Sequence, residues 1–411
     1  MPDDARPPEN EPKDLDDQLI DILSSQPTLP APPHRRRPQF RRMATVCEVH
    51  NQDDGTLRFD IRGGARYTGE PVSGWNVDFG ALNAQMSDLG QHIARYHDAG
   101  QHELQPAIQQ VARELGQYIY HGLLNVDVEL ERRFVYLQNR TRPPEHLTLR
   151  FTGSRRYLGV PYELMHDGHG PLAIRHPLCR QITGLQPASR QPFHALVEGL
   201  EGPLRILLLT SSTSHVTADE EAAALEEVIY RSASRTDLEV DVEIVGGNDL
   251  DAVRGKLAAC PYHVVHYAGQ IFQDRQQPAN SGLLFAGERE DLFGQTVLPL
   301  PELVHLLEGS ATRLFYLSAN VQSPARAAYA LHDSDPFDVL AGLAQAGMPY
   351  VVGFRWHVSD SGRHNLAYYF YENLLRAPFA PERAMCAARA AVHPDDESWA
   401  SPVLVAQHVT I

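Results

Sequence analysis

The chain has 411 residues, of which 43% are hydrophobic and 8% aromatic, and carries a formal net charge of -16. That length accommodates two domains, or one domain with a large extension. The acidic balance excludes a sequence-independent nucleic-acid binder, leaving room only for a local basic face. The longest apolar runs, such as Ile206-Leu-Leu-Leu209, are strand-sized and far below the roughly 20 residues of a membrane span.

Residues 1 to about 42 read as a tail dominated by Pro and charge, which cannot bury enough apolar surface to fold alone. It has no apolar signal-peptide core, so the expected location is the cytoplasm. Within it, Leu15, Leu19, Ile22 and Leu23 form one stripe at helical spacing, with Asp14 as N-cap. Such a helix could dock in a partner's groove or pack on its own protein. The four cysteines, Cys47, Cys179, Cys260 and Cys386, have no metal-binding or CxxC spacing and read as buried free thiols of a reducing compartment.

Residues 43–200 read as a first, smaller α+β part. Ala44–Val49 and Leu57–Arg62 alternate like hairpin strands. A helical region runs from about Leu82 to Gly122, interrupted near Gly100. Phe134–Gln138 and Leu147–Phe151 look strand-like, and Gln186–Gly202 looks like a linker.

Residues 203–411 alternate strands and helices, which predicts a parallel sheet with helices on both faces. The expected strands are 204–209, 238–244, 263–268, 314–318 and 350–354, with 403–407 as a last edge strand. The expected helices are 219–233, 249–258, 300–308, 335–346, 361–376 and 381–391. Asp360 is expected to cap the helix beginning near Ser361, whose run Tyr368-Tyr-Phe-Tyr371 reads as core.

Six segments in order resemble one family. They are Pro161-Tyr-Glu-Leu-Met-His-Asp167, Leu204-Arg-Ile-Leu-Leu-Leu209, His266-Tyr-Ala-Gly269, Leu317-Ser-Ala319, Ala346–Trp356 with Val358-Ser-Asp360, and Trp399–Leu404. Together they resemble the CHAT domains, caspase-like domains found beside TPR repeats and related to separase. The resemblance covers about 160 to 411. It implies an α/β fold with a caspase-like sheet sandwiched by helices, the part before it being a pseudo-caspase-like half.

The chain departs from that family at the chemistry. The family's catalytic His maps to Gln270 and its Cys to Asn320, and the flanking Ile271 and Val321-Gln-Ser also differ. A carboxamide has no usable pKa near neutrality and cannot serve as a general base, and Asn forms no thiolate. Other chemistry reads as unsupported. Ser318, His266 and Cys260 read as core residues, and His263 and His266 face opposite sides of a strand. The loop His166-Asp-Gly-His169 offers too few ligands for a catalytic zinc, so no metal is expected. Thr210–Thr217 lacks the Gly and Lys of a phosphate cradle and precedes acidic Asp219-Glu-Glu221. No cofactor is expected.

The resemblance therefore implies a pseudoprotease acting as scaffold, adaptor or regulator. Its partner would be an active protease, that protease's substrate or another component of a bacterial defence (antiphage) or cell-death system. Trp356 and Asp360 join Gln270 and Asn320 as candidate peptide contacts, with Leu15, Leu19, Ile22 and Leu23 as a tether. The alternatives are a peptidase using other residues, or a small-ligand sensor.

Overall fold

A computed structural model describes residues 45–51, 56–62, 67–68, 79–98, 102–124, 128–141, 147–154, 159–183, 191–211, 217–247, 249–259, 261–274, 277–287, 295–322, 337–393 and 397–408. The tail stripe Leu15, Leu19, Ile22 and Leu23 lies outside the described residues, as does Cys260. Residues 43–411 form one body.

A single sheet organises that body. In its carboxyl-terminal half, β6 (Leu204–Thr210) is flanked by β7 (Val240–Gly246) and β8 (Val264–Phe272), followed by β11 (Leu314–Gln322) and β12 (Tyr350–Phe354), all parallel. Next comes β13 (Pro402–Ala406), antiparallel to β12. The sheet continues without a break into the amino-terminal half. There, β13 pairs with β5 (Leu178–Ile182), then come β4 (Leu147–Gly153), β1 (Thr45–Asn51), β2 (Leu57–Arg62) and β3 (Tyr67–Thr68). β13 is thus interior rather than the expected edge. All five of its residues are buried, as befits an apolar strand covered on both faces.

Helices cover the sheet according to the period-2 alternation of its strands. Leu204, Ile206 and Leu208 join a core that extends across both halves, under α1 (Phe79–Asp98), α2 (Gln105–Leu124), α3 (Val128–Arg140), α5 (Thr217–Ala233), α9 (Asp360–Leu374) and α10 (Pro381–Val392). Leu207 and Leu209 join a second core under α6 (Leu250–Ala259), α7 (Leu300–Leu307) and α8 (Phe337–Gln345). The mixed α/β sandwich agrees with the expected fold class.

Three local expectations are corrected. Phe134–Gln138 lies within α3, because Leu130, Phe134 and Leu137 recur at helical spacing and only that stripe faces the core. The presumed linker contains α4 (Phe193–Glu198), whose Phe193, Leu196 and Val197 are buried. An antiparallel hairpin, β9 (Gly282–Ala286) and β10 (Gln295–Pro299), was not anticipated. It joins β8 at Gln270–Phe272, on the edge that β6 occupies only as far as Ala268.

A buried ionic cluster ties the halves together. Glu163, on a 3₁₀ turn (Tyr162–Leu164), receives both ends of the Arg180 guanidinium from β5, one contact at 2.6 Å. Arg389 of α10 reaches within 3.6 Å of the same carboxylate and donates to the Pro402 carbonyl at 2.7 Å. Arg355, just after β12, donates to the Gly159 carbonyl at 2.6 Å and the Val160 carbonyl at 3.2 Å. Glu163, Arg180 and Arg389 are each 0% exposed. Burial pushes the Glu163 carboxyl up, but Arg180, with Arg389 and Arg355, outweighs this and holds it below the usual carboxylate range.

Removing Glu163 leaves buried guanidinium charge uncompensated, so Glu163→Ala should destabilise the fold by about 3–5 kcal/mol at pH 7. A carboxyl with a depressed folded pKa stabilises fully above its unfolded pKa of about 4.3 and loses that contribution as pH falls through the folded value. The stability gap between the natural chain and Glu163→Gln, measured by urea unfolding, should therefore be largest at neutral pH and shrink below about pH 4.

Candidate functional site

The site lies at the carboxyl ends of β8 and β11. The two strands pair in parallel along their whole length, and the register sets Asn320 directly beside Gln270. The two positions expected from the resemblance are thus neighbours on adjacent strands. Both follow the alternation that puts His266 and Ser318 on the same face beneath them.

The path of β8 depends on Gly269 and Tyr267. A Cβ on Gly269 would lie 2.5 Å from the Tyr267 hydroxyl and 2.7 Å from Ser211 Cβ, so only glycine fits. The Tyr267 hydroxyl accepts the Gln270 N–H at 3.2 Å and lies 2.8 Å from the Gln270 carbonyl. Tyr267 therefore pins the strand end where β9 replaces β6 as its neighbour.

Asn320 is held by both ends of its amide. Its Nδ2 donates to the Val358 carbonyl at 2.9 Å, and its Oδ1 accepts the Val358 N–H at 3.0 Å. The side chain thus copies a backbone partner and stitches the end of β11 to the loop between β12 and α9. Neither a thiol nor a hydroxyl has the donor and acceptor spacing to do this.

The same loop carries Trp356 and Asp360. Trp356 is 3% exposed, and its backbone N–H donates to Ser401 Oγ at 3.0 Å, so its ring belongs to the core and presents almost no surface to a ligand. Asp360 is not the cap of α9. Ser359 is, its Oγ accepting the Gly362 N–H at 3.0 Å. Asp360 instead stands in the first turn, half-exposed, and pairs with Arg363. Arg363 reaches beneath the site and donates to the Ser318 carbonyl at 3.0 Å.

Below this layer lies a closed polar network. His266 Nε2 is 3.1 Å from Glu221 Oε1, and its Nδ1 is 3.3 Å from the Tyr371 hydroxyl. Its ring stacks on Tyr316 at 4.9 Å between centroids. Burial pushes the Glu221 carboxyl up, but His266 and Arg363 outweigh it and hold it below the ordinary range. Ser318 is 0% and His266 1% exposed, so neither meets a substrate in this arrangement. The sequence placed both in the core and included Tyr267 and Val358 in the family-like segments, but assigned neither a role and did not single out Arg363. Arg363 left a trace, three residues after Asp360 on one helix.

Cys47, Cys179 and Cys386 are buried free thiols, each pushed up to about 12 by burial. Thiolate character is needed for nucleophilic attack. A disulfide-exchange reagent at pH 8 should therefore label at most one thiol of the folded protein rapidly, and all four after denaturation. Replacing Asn320 with Ala should cost about 1–3 kcal/mol, read as a lowered thermal midpoint, because the buried Val358 peptide loses its partner.

Two crystal structures of the Saccharomyces cerevisiae separase–securin complex, at 2.6 and 3.0 Å resolution, are similar to the chain with a TM-score of 0.48 and identities of 10% and 11%. Each alignment covers 88% of this chain and 30% of the matched one, so the chain spans under a third of that relative's length. A search of curated protein sequences found no match. The CHAT domain family model matches residues 108–407, and the chain belongs to the CHAT domain family.

Proposed function

We propose that this CHAT protein is a pseudoprotease, a caspase-like scaffold that binds a protein partner without cleaving it. The observation that carries this reading is the two-way pairing of the Asn320 amide with the Val358 backbone. At the position that the resemblance assigns to a nucleophile, the side chain has been turned into a structural strut. Its neighbour in the register, Gln270, supplies no base.

On this reading the upper surface of the site, formed by Gln270, Asn320 and Asp360 over the buried Trp356, receives an extended segment of the partner. The amphipathic stripe of Leu15, Leu19, Ile22 and Leu23 serves as a second, tethering contact. The partner is a protein: an active protease, its substrate, or another component of a bacterial defence or cell-death system. Neither a nucleic acid nor a membrane is required.

The test is incubation of the purified chain with a diverse peptide library beside a Gln270→His, Asn320→Cys double variant. No cleavage by the natural chain supports the pseudoprotease, and cleavage gained by the variant would show that the frame around the dyad positions persists. Cleavage at a defined sequence by the natural chain, abolished by Ser318→Ala or His266→Ala, would replace this reading with that of a peptidase using other residues.

A further inference from the structure

The amino-terminal half carries a second polar cluster, remote from the dyad positions. Along β1, Cys47 and Val49 point into the helix-covered core, so Glu48 and His50 point to the opposite face of the sheet. The β1–β2 register sets Asp60 directly across from Glu48, and the β1–β4 register sets Thr152 beside His50. One potential ligand atom from each of Glu48, His50 and Asp60 lies within 4.8 Å of the other two.

From these positions we infer a binding site for one divalent transition-metal ion, Zn2+ or Mn2+, held by Glu48, His50 and Asp60. His50 Nε2 is 3.0 Å from Asp60 Oδ2 and 3.6 Å from Glu48 Oε2. Ligand atoms around an ion at about 2.0–2.1 Å are spaced at roughly 3.0–3.4 Å, so the His50–Asp60 separation matches an edge of a coordination shell and the His50–Glu48 separation needs to shorten by a few tenths of an ångström on binding.

The far side of the imidazole supplies the second shell. His50 Nδ1 is 2.7 Å from Thr152 Oγ1, whose oxygen lies 3.5 Å from the Val49 carbonyl. In the tautomer whose Nδ1–H donates to that hydroxyl, Nε2 is a lone pair facing a carboxylate; in the other, the hydroxyl donates to Nδ1 and Nε2–H donates to Asp60. Two lone pairs at 3.0 Å repel unless a cation stands between them. In the first tautomer, with Arg58 reaching the same Asp60 oxygen at 3.4 Å from its outer side, the cation between the two lone pairs is a metal or a second proton on His50.

Asp60 favours the metal. It is 9% exposed, and its second oxygen, Oδ1, is buried with no hydrogen-bond partner among the described residues. A bidentate carboxylate would satisfy it. Two arginines border the cluster. Arg150 pairs with Glu48 through Oε1, the oxygen other than the one nearest His50. Arg58 approaches Asp60 at 3.4 Å from a side chain 38% exposed, so water screens its charge. All three ligands stand on two hydrogen-bonded strands, which fixes their spacing.

The test uses the full chain, stripped with chelator and titrated calorimetrically with Zn2+ and, separately, Mn2+. One equivalent of one of these ions should bind and raise the thermal midpoint. His50→Ala and Asp60→Asn should each abolish that binding, and Thr152→Val should weaken it by about 10–100-fold, as loss of a second-shell partner does. Circular dichroism of each variant distinguishes loss of the site from loss of the fold, and Asp60→Asn preserves the side-chain shape if His50→Ala unfolds. Absence of bound ion in the natural chain, or binding unchanged in both folded variants, overturns the inference. A midpoint that responds to pH through His50 but not to either ion also overturns it, assigning the cation to a proton.

Discussion

Two charged side chains, Glu163 and Arg180, meet where no water reaches them, and much of the architecture is arranged around that meeting. Taking both ions out of water costs several kcal/mol each, an outlay offset only by close, doubled contacts. Those contacts hold the 3₁₀ turn at Tyr162–Leu164 against β5, while Arg389 and Arg355 bring in α10 and the end of β12. The pair therefore fixes the seam at which β13 of one half joins β5 of the other. Hydrophobic burial alone would favour closure there without dictating its alignment. The ionic cluster instead needs Glu163 doubly paired with Arg180 and close to Arg389, and the seam is aligned to meet that need.

The dyad positions inherit their order from that frame. Once β12 is set, the loop that follows it is close enough for Val358 to pair with Asn320, and Ser359 and Arg363 fix the start of α9 over the same strand ends. Tyr267 and Gly269 do the equivalent for β8. The result is a strand-end surface made rigid by amides, hydroxyls and backbone groups rather than by groups that exchange protons near neutral pH.

The parallel strands of the carboxyl-terminal half were largely legible in the sequence, because most are apolar runs between amphipathic helices; the β9–β10 hairpin of the same half was not. The alternation of strand and helix there leaves little choice of topology. Legibility fell where two signals compete. Phe134–Gln138 is apolar enough for a strand, and only its spacing from Leu130 reveals a helix. Interior placement of β13 could not be read because its neighbour, β5, lies in the other half. Pairings across the sheet were the least legible. The Glu163 partners and the Asn320–Val358 stitch join elements separated along the chain, and no local pattern announces them; Glu48, His50 and Asp60 lie on a hairpin the sequence did suggest, but its register was not readable. The tail stripe was legible as an amphipathic pattern, but it lies outside the described residues.

The unbroken sheet has a mechanical consequence. From β8 to β1 the strands succeed one another through β11, β12, β13, β5 and β4, a distance of about 29 Å at roughly 4.8 Å per step. Strand pairing runs over that whole span and is thinnest at the β13–β5 seam, where Val405 beside Arg180 is the one registered pair, so closing in the manner of a clamp would have to strain that seam and the ionic cluster against it. Whatever occupies one end acts on the other through twist and stiffness of a shared lattice, or not at all. On the proposed reading, a body of this kind would serve as a template, leaving change of shape to whatever docks on it.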